Sequence, residues 1–155
     1  MSKKIVAFQG EAGAYSEAAA YNYFGTETET LPCKSFDALF AAVSEGRATH
    51  GMAPIENSLA GSIHRNYDLL LRNKLHIIGE YHLRVSHCLM ALPSVALADV
   101  RQVYSHPQAL AQCEKSLNKL GLAPVIGADT AGSAKALKEC NDTTSAALAS
   151  RLAAQ

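Results

Sequence analysis

The stretch Val100–Gly121, VRQVYSHPQALAQCEKSLNKLG, decides the fold of this chain. Val100 to Tyr104 form a short strand-like run, and Ser105-His106-Pro107 then supply a cap with proline at the first helical position. Apolar side chains follow at helical spacing, and Gly121 ends the helix. The stretch therefore predicts a strand, a polar turn and a helix in that order.

The same order recurs on both sides of this stretch. A strand at residues 4–9 leads into a helix that ends near Phe24, and a strand at 124–126 leads into a helix that starts at Asp129. Ser35 and Gly46 bound a further helix, residues 76–92 are predicted to be extended, and residues 145–155 a short strand and a helix. This alternation predicts an α/β fold with mainly parallel sheets flanked by helices, whose ligands sit beyond the carboxyl ends of the strands.

Composition limits the classes of partner. The 155 residues carry 14 Lys and Arg against 14 Asp and Glu, so the charge balance does not favour nucleic acid. No run reaches the roughly 18 apolar residues that a membrane span needs, and the N-terminal apolar run is too short for a signal peptide. The four cysteines show no CxxC spacing, and the histidines lack metal-ligand spacing. The sequence predicts a cytoplasmic protein with reduced thiols, no metal, and neither nucleic acid nor membrane as a partner.

Small, hydroxyl and amide residues collect at predicted strand-to-helix junctions. The unpaired N–H groups and positive dipole of a helix start bind carboxylate or phosphate, although Ser, Asp and Thr there are also ordinary helix caps. One helix start contributes about 0.3 to 1 kcal/mol toward an anion, so a dicarboxylate also needs an arginine partner. No arginine lies in these junctions, which are Gly13–Ser16, Glu56–Ser58, Ser105–Gln108 and Asp129–Ser133.

Ser105 and His106 allow two interpretations. They are the residue types of a nucleophile and its base, but adjacent residues at a helix start rarely point at one another, so capping is the favoured role. No dinucleotide, P-loop or GxSxG pattern is present.

Four ordered motifs together resemble the prephenate dehydratase family. They extend across nearly the whole chain, and the Ala-rich residues 146–154 are similar to the segment that follows them in that family. The motifs are IVAFQG at residues 5–10 with AYSEAA at 14–19, PIENS at 54–58 with GSI at 61–63, SHPQALAQC at 105–113, and DTAGSA at 129–134.

The resemblance implies a two-lobed fold like the type II periplasmic binding proteins, with the ligand cleft between the lobes. Residues 1–80 would form lobe 1 and residues 81–155 lobe 2. The implied reaction converts prephenate to phenylpyruvate with loss of water and carbon dioxide, in phenylalanine synthesis. It needs no cofactor, since aromatisation drives it, and the implied assembly is a homodimer that binds a small dicarboxylate.

The family pattern continues beyond Gln155 with a Thr-Arg-Phe motif and with a regulatory ACT domain. The threonine of the motif is the implied general acid, and its arginine suits the missing anion partner. We therefore expect no catalytic residue in this chain and little activity from it alone. Two alternatives stay open, arogenate dehydratase and a non-catalytic binder of a small carboxylate. The residues carried over as substrate-binding positions are Asn57, Ser58, Ser105, His106, Gln108, Asp129, Thr130, Ala131 and Ser133.

Overall fold

A computed structural model describes residues 4–155, which divide into two compact units. Unit 1 contains the chain up to Glu11 and then Tyr15–Leu83. Unit 2 contains Arg84–Gln155 together with Ala12–Ala14, a short piece from near the start of the chain. Each unit has its own sheet and its own apolar core.

The sheet of unit 1 has three parallel strands in the order β2-β1-β3. The central strand is the most apolar, and Val6, Ala7 and Phe8 in it are fully buried. A strand with neighbours on both sides and covered faces needs such a continuous apolar run. The strands are β1 (Ile5–Gln9), β2 (Glu29–Cys33) and β3 (His50–Met52).

Local capping determines where the second helix of unit 1 begins. The Oγ of Ser35 accepts a hydrogen bond from the backbone N–H of Ala38 over 3.2 Å, and Leu39 and Phe40 are buried in the core. The helix predicted between Ser35 and Gly46 is therefore confirmed. The helices of unit 1 are α1 (Tyr15–Phe24), α2 (Phe36–Ser44) and α3 (His64–Asn73).

A small hairpin precedes α3 where the sequence predicted a direct strand-to-helix junction. Strand β4 (Glu56–Asn57) pairs antiparallel with β5 (Gly61–Ser62). The Asn57 Oδ1 accepts the backbone N–H groups of Leu59 and Ala60, which closes the turn between the strands. The prediction that Glu56–Ser58 lies at a helix start is therefore wrong.

The sheet of unit 2 has the order β6-β9-β7-β8. Strands β9, β7 and β8 are parallel, whereas β6 pairs antiparallel with β9 at one edge. The α/β class with mainly parallel sheets is thus confirmed in the described residues. The strands are β6 (Cys88–Met90), β7 (Gln102–Ser105), β8 (Ala123–Ile126) and β9 (Ser145–Ala149).

Helices α4 (Pro107–Leu120) and α5 (Thr130–Cys140) follow β7 and β8. Gly121 takes the left-handed conformation that ends α4, as its position predicts. The segment after β9 forms only a short 3₁₀ turn at Leu152–Ala154 instead of the predicted helix. Within the predicted extended region 76–92, only β6 is paired in a sheet.

Candidate functional site

The carboxyl ends of β7, β8 and β9 meet at one edge of the unit 2 sheet. The strands are parallel, and their registers pair Ser105 with Ile126 and Tyr104 with Ala147. The turns that leave this edge start α4 after β7, start α5 after β8, and carry Ser150 and Arg151 after β9. In a parallel sheet this is the edge where ligands bind.

The turns after β7 and β8 are joined by their backbones. The N–H of Gly127 donates to the carbonyl oxygen of Ser105 over 2.8 Å. The N-termini of α4 and α5 therefore lie side by side, so the structure brings two of the predicted junctions together.

Ser105 points into the protein at this edge. Its side chain is 0% exposed, and its hydroxyl donates to the carbonyl oxygen of Leu148 over 2.6 Å. This bond ties the end of β7 to the neighbouring strand β9. The structure thus gives the Ser105 hydroxyl a buried partner in the protein.

His106 and Gln108 begin α4. The Nδ1 of His106 accepts the backbone N–H of Gln108 over 3.2 Å, so the imidazole caps the helix. His106 is exposed and Gln108 half-buried. The Gln108 amide group has no hydrogen-bond partner within residues 4–155, which leaves it available at the sheet edge.

Asp129 caps α5, and Ser133 completes the cap. The Asp129 Oδ1 accepts the backbone N–H of Gly132 over 2.6 Å, and the Ser133 hydroxyl donates to the Asp129 carbonyl oxygen over 2.6 Å. Their polar side chains are therefore engaged inside the turn. The backbone N–H groups of Thr130 and Ala131 meet no acceptor among the described residues. These N–H groups, together with the Thr130 hydroxyl, are the donors that the α5 start offers to an anion.

The Ala12–Ala14 segment is held at the same edge. The Ser150 hydroxyl donates to the carbonyl oxygen of Gly13, and a Cβ on Gly13 would lie 2.6 Å from the Cα of Ala153. Gly13 also has a φ of +88°, so glycine is required there for conformation as well as for space. Of the junction predicted at Gly13–Ser16, the first two residues belong to unit 2, and Tyr15 starts α1 in unit 1.

Arg151 is the cation that the sequence reasoning missed at this edge. It follows the carboxyl end of β9, is exposed, and its guanidinium has no ion pair or hydrogen bond in the part of the chain that the structure describes. The position of Arg151 at this edge could not be predicted from the sequence. Arg151 belongs to none of the four junctions, and it lies at this edge only because β9 pairs with β7.

The other predicted positions, Asn57 and Ser58, lie in the hairpin of unit 1. Asn57 is half-buried with its Oδ1 used in the turn, whereas Ser58 is exposed. The buried Asn66, which the sequence reasoning also missed, donates from Nδ2 to the Pro54 carbonyl oxygen over 2.7 Å and holds the start of this hairpin. Its Oδ1 has no hydrogen-bond partner among residues 4–155.

Other reactive groups do not form a further site. Burial raises the pKa of the Cys113 thiol on α4, which makes it a poor nucleophile. Residues 4–155 contain no group of three side chains that could hold a metal ion. Within the same residues, every helix is too short or too polar to cross a membrane.

Comparison with known proteins identifies the family. The family model described as prephenate dehydratase matches residues 6–155. The chain is 53% identical to arogenate dehydratase/prephenate dehydratase 2, chloroplastic, of Arabidopsis thaliana over 99% of this chain and 40% of that protein. It is 54% identical to arogenate dehydratase 2 of Petunia hybrida over 86% of this chain and 34% of that protein. The chain therefore spans about two fifths or less of the length of these relatives.

Two solved structures have the same fold. Prephenate dehydratase from Arthrobacter aurescens in complex with L-Phe superposes with a TM-score of 0.86 at 29% identity, over 96% of this chain and 50% of that one. A structure named "GqqA- a novel type of quorum quenching acylases" superposes with a TM-score of 0.92 at 44% identity, over 97% of this chain and 55% of that one.

The names of the relatives also correct one prediction. Several Arabidopsis thaliana relatives are named chloroplastic, and this finding contradicts the cytoplasmic location predicted from the sequence. The predicted family, in contrast, is confirmed by the match over residues 6–155 and by the relatives. This chain belongs to the prephenate dehydratase family.

Proposed function

We propose that this chain supplies substrate-binding residues of a dehydratase that converts prephenate to phenylpyruvate in phenylalanine synthesis. The observation that carries the proposal is the meeting of the α4 start, the α5 start and Arg151 at one sheet edge, in a chain of this family. The edge offers N–H donors and a guanidinium, which suits a small dicarboxylate.

The strength of these groups explains why Arg151 matters. Two helix starts contribute at most about 4 kcal/mol toward an anion, which corresponds to no better than about millimolar binding. A charge-assisted hydrogen bond from an arginine adds about 1.5 to 3 kcal/mol. Arg151 is therefore the residue that brings the affinity into the range of a metabolic substrate.

The proposed reaction breaks two bonds. The bond between the ring and its carboxylate breaks as carbon dioxide leaves, and its electron pair enters the ring. The carbon–oxygen bond of the ring hydroxyl then breaks, and the hydroxyl takes one proton to leave as water. Because aromatisation drives the reaction, the protein needs to orient the dianion and deliver the proton. The chain's own contribution is orientation, by the N–H groups of Thr130 and Ala131, the Gln108 amide and Arg151.

Arogenate is the alternative substrate, and the names of the relatives favour it as much as prephenate. It differs from prephenate by an amino group in place of the keto group, so the same sheet edge would hold its two carboxylates. Its product is phenylalanine, which separates the two activities in one assay.

Two other functions, an acylase and a non-catalytic carboxylate binder, would give different results in the experiments described below. One similar structure is named as a quorum quenching acylase, so amide hydrolysis is another candidate reaction. Amide hydrolysis needs an activated nucleophile. The buried Ser105 hydroxyl donates to Leu148, and His106 caps α4, so this pair lacks the geometry of a nucleophile and base. The non-catalytic binder of a small carboxylate would use the same edge without turnover.

Calorimetric titration of the 155-residue chain with prephenate and with arogenate tests the binding step. We expect Arg151→Gln to weaken binding by about tenfold or more, since it removes a charge-assisted hydrogen bond. Arg151→Lys should lose less, and the exposed Arg72→Gln in α3 is the matched control that should change nothing. If the Arg151 and Arg72 variants bound these substrates with equal affinity, the assignment of this sheet edge as the substrate-binding site would be refuted.

Product formation tests the reaction. Phenylpyruvate from prephenate and phenylalanine from arogenate would be measured for this chain and for a version extended through the family's Thr-Arg-Phe motif. Turnover only in the extended version agrees with our expectation that the general acid is absent here. Binding without turnover in either version would support the binder, and release of a carboxylic acid from an N-acyl amide would support the acylase.

The remaining expectations for the whole protein stay predictions. They are the two lobes at residues 1–80 and 81–155 of a periplasmic-binding-protein-like fold, the homodimer and the lack of a cofactor. Asn57 and Ser58 in unit 1 remain proposed substrate-binding positions on the strength of the family motif alone.

A further inference from the structure

His87 lies at the same edge of the unit 2 sheet as the proposed anion-binding groups. Strand β6 runs antiparallel to β9, and the register pairs Cys88 with Ala149. His87, one residue before Cys88, therefore lies beside the residue that follows Ala149, at the end of β9 from which Arg151 emerges. The proposed function gives this half-buried histidine no role.

A hydrogen bond joins His87 to α4. The Nε2 of His87 lies 3.0 Å from the Oε1 of Gln112. Gln112 comes one helical turn after Gln108, so the two amides occupy the same face of α4. Gln112 therefore extends the polar groups of the α4 start toward His87 and the end of β9.

This bond fixes which end of the Gln112 amide is offered to a ligand. A carboxamide oxygen can only accept, so the His87 Nε2 carries a proton and donates it. Because the imidazole holds Oε1, the Gln112 NH₂ group is turned away from His87. The amide could offer its oxygen only by flipping, which would place its NH₂ group against the protonated Nε2 of His87.

Prephenate and arogenate differ at a group that such an amide can distinguish. The keto oxygen of prephenate only accepts hydrogen bonds, whereas the ammonium group of arogenate only donates them. The N–H groups of Thr130 and Ala131 and the Arg151 guanidinium are donors that suit carboxylates, which both substrates carry. Gln112 with its NH₂ group outward supplies a donor for the keto oxygen and no acceptor for the ammonium group.

We propose that His87 is a positioning residue that makes this sheet edge favour prephenate over arogenate, by holding the Gln112 amide with its NH₂ group toward the keto oxygen. The inference rests on the proposed function, because it takes both substrates to bind at this edge. His87 acts through Gln112, so the discrimination is a difference between two affinities.

Paired calorimetric titrations of the 155-residue chain with prephenate and with arogenate measure the ratio of the two dissociation constants. His87→Leu lets the Gln112 amide rotate, so the preference for prephenate should fall by about tenfold, the equivalent of one hydrogen bond. His87→Gln keeps an N–H donor near the position of Nε2 and should restore most of the preference. His82→Leu, at a 94% exposed histidine of unit 1, is the matched control and should leave the ratio unchanged.

Gln112→Glu tests the amide and leaves His87 in place. One oxygen of the carboxylate accepts the His87 N–H, and the other faces the ligand as an acceptor. The ratio should shift toward arogenate by about tenfold or more, because the carboxylate attracts the ammonium group and offers the keto oxygen no donor.

Nitrogen NMR of the His87 ring gives a readout that needs neither a ligand nor a variant. The chemical shifts of the two ring nitrogens report which of them carries a proton. We expect a proton on Nε2, because only that form donates to the Gln112 oxygen.

A preference for prephenate that falls in His87→Leu and returns in His87→Gln supports the proposal. An unmodified chain that prefers arogenate, a ratio that His87→Leu leaves unchanged, or a ring protonated only on Nδ1 overturns it. The proposed function survives such a result if Arg151→Gln still weakens the binding of both substrates. If the unmodified chain binds neither substrate, the proposed function fails and this inference fails with it. Should circular dichroism show that His87→Leu is unfolded, the Gln112→Glu ratio and the NMR result decide.

Discussion

Replacing Ser105 by alanine separates a role of this residue in the sheet from a role in ligand binding. The Ser105 hydroxyl is fully buried and donates to the Leu148 carbonyl oxygen over 2.6 Å, at the junction of β7 and β9. Such a hydrogen bond contributes about 0.5 to 1.5 kcal/mol net, and the substitution removes a single oxygen atom. We therefore expect the free energy of unfolding of unit 2 to fall by about 1 kcal/mol.

Hydrogen exchange read by mass spectrometry is the assay, because it reports on unit 2 separately from unit 1. The amides of β7 and β9 should lose about fivefold protection, which corresponds to a loss of about 1 kcal/mol. Ser116→Ala on the exposed face of α4 is the control and should leave this protection unchanged. Affinity for prephenate should change little in Ser105→Ala, since the hydroxyl points away from solvent.

A contrary pair of results would refute this reasoning. If Ser105→Ala kept the protection of β7 and β9 but lost prephenate affinity, then the hydroxyl would contact the ligand, and its bond to Leu148 would contribute nothing to stability. The family resemblance would then describe the role of Ser105 better than the structure does.

Three further predictions concern single positions. Asp129→Ala removes the cap of α5 and should lower the free energy of unfolding by about 0.5 to 2 kcal/mol in a urea titration, whereas Asp129→Ser should restore most of it. Gly13→Ala should destabilise unit 2 by at least about 1 to 2 kcal/mol, because the residue has a φ of +88° and its Cβ would meet the Ala153 backbone at 2.6 Å; exchange in β9 would report this, and unchanged protection would contradict it. Hydrogen bonding, first from the Ser145 side chain, lowers the pKa of Asp142 below its usual 3.8. The ionised Asp142 carboxylate therefore stabilises the folded protein above pH 3.8, and this stabilisation is lost as the pH falls through the lower pKa of the folded state. In an acid titration of stability, Asp142→Asn should lack this pH-dependent loss.

Local rules predicted the helices of this chain well. Ser35, Pro107 and Asp129 each mark a helix start through contacts within a few residues, and the structure has helices at all three. The hairpin at Glu56–Ser62 was missed although its signal is also local, because the Asn57 side chain closes a turn that an apolar-periodicity argument does not detect.

The arrangement of the candidate site depends on pairings that the sequence does not display. Arg151 reaches the edge beside the α4 start only because β9 lies next to β7, strands whose paired residues are more than 40 positions apart. The pairing of only β6 within the predicted extended region 76–92 likewise depends on the sheet order and not on the composition of the region, which favours a strand. The chemistry of each strand-to-helix junction could be inferred from its residue types. The meeting of these junctions at one sheet edge could not.

The position of Ala12–Ala14 in unit 2 has a consequence for the order in which the chain folds. Gly13 is made 137 residues before Ser150, whose hydroxyl donates a hydrogen bond to the Gly13 carbonyl oxygen. Unit 2 therefore cannot finish folding until Ser150 has been made, and this contact closes a long loop late in the folding of the unit. If the gene were divided between the codons for Leu83 and Arg84, the second product would contain Arg84–Gln155. It would still lack Ala12–Ala14, which belong to unit 2.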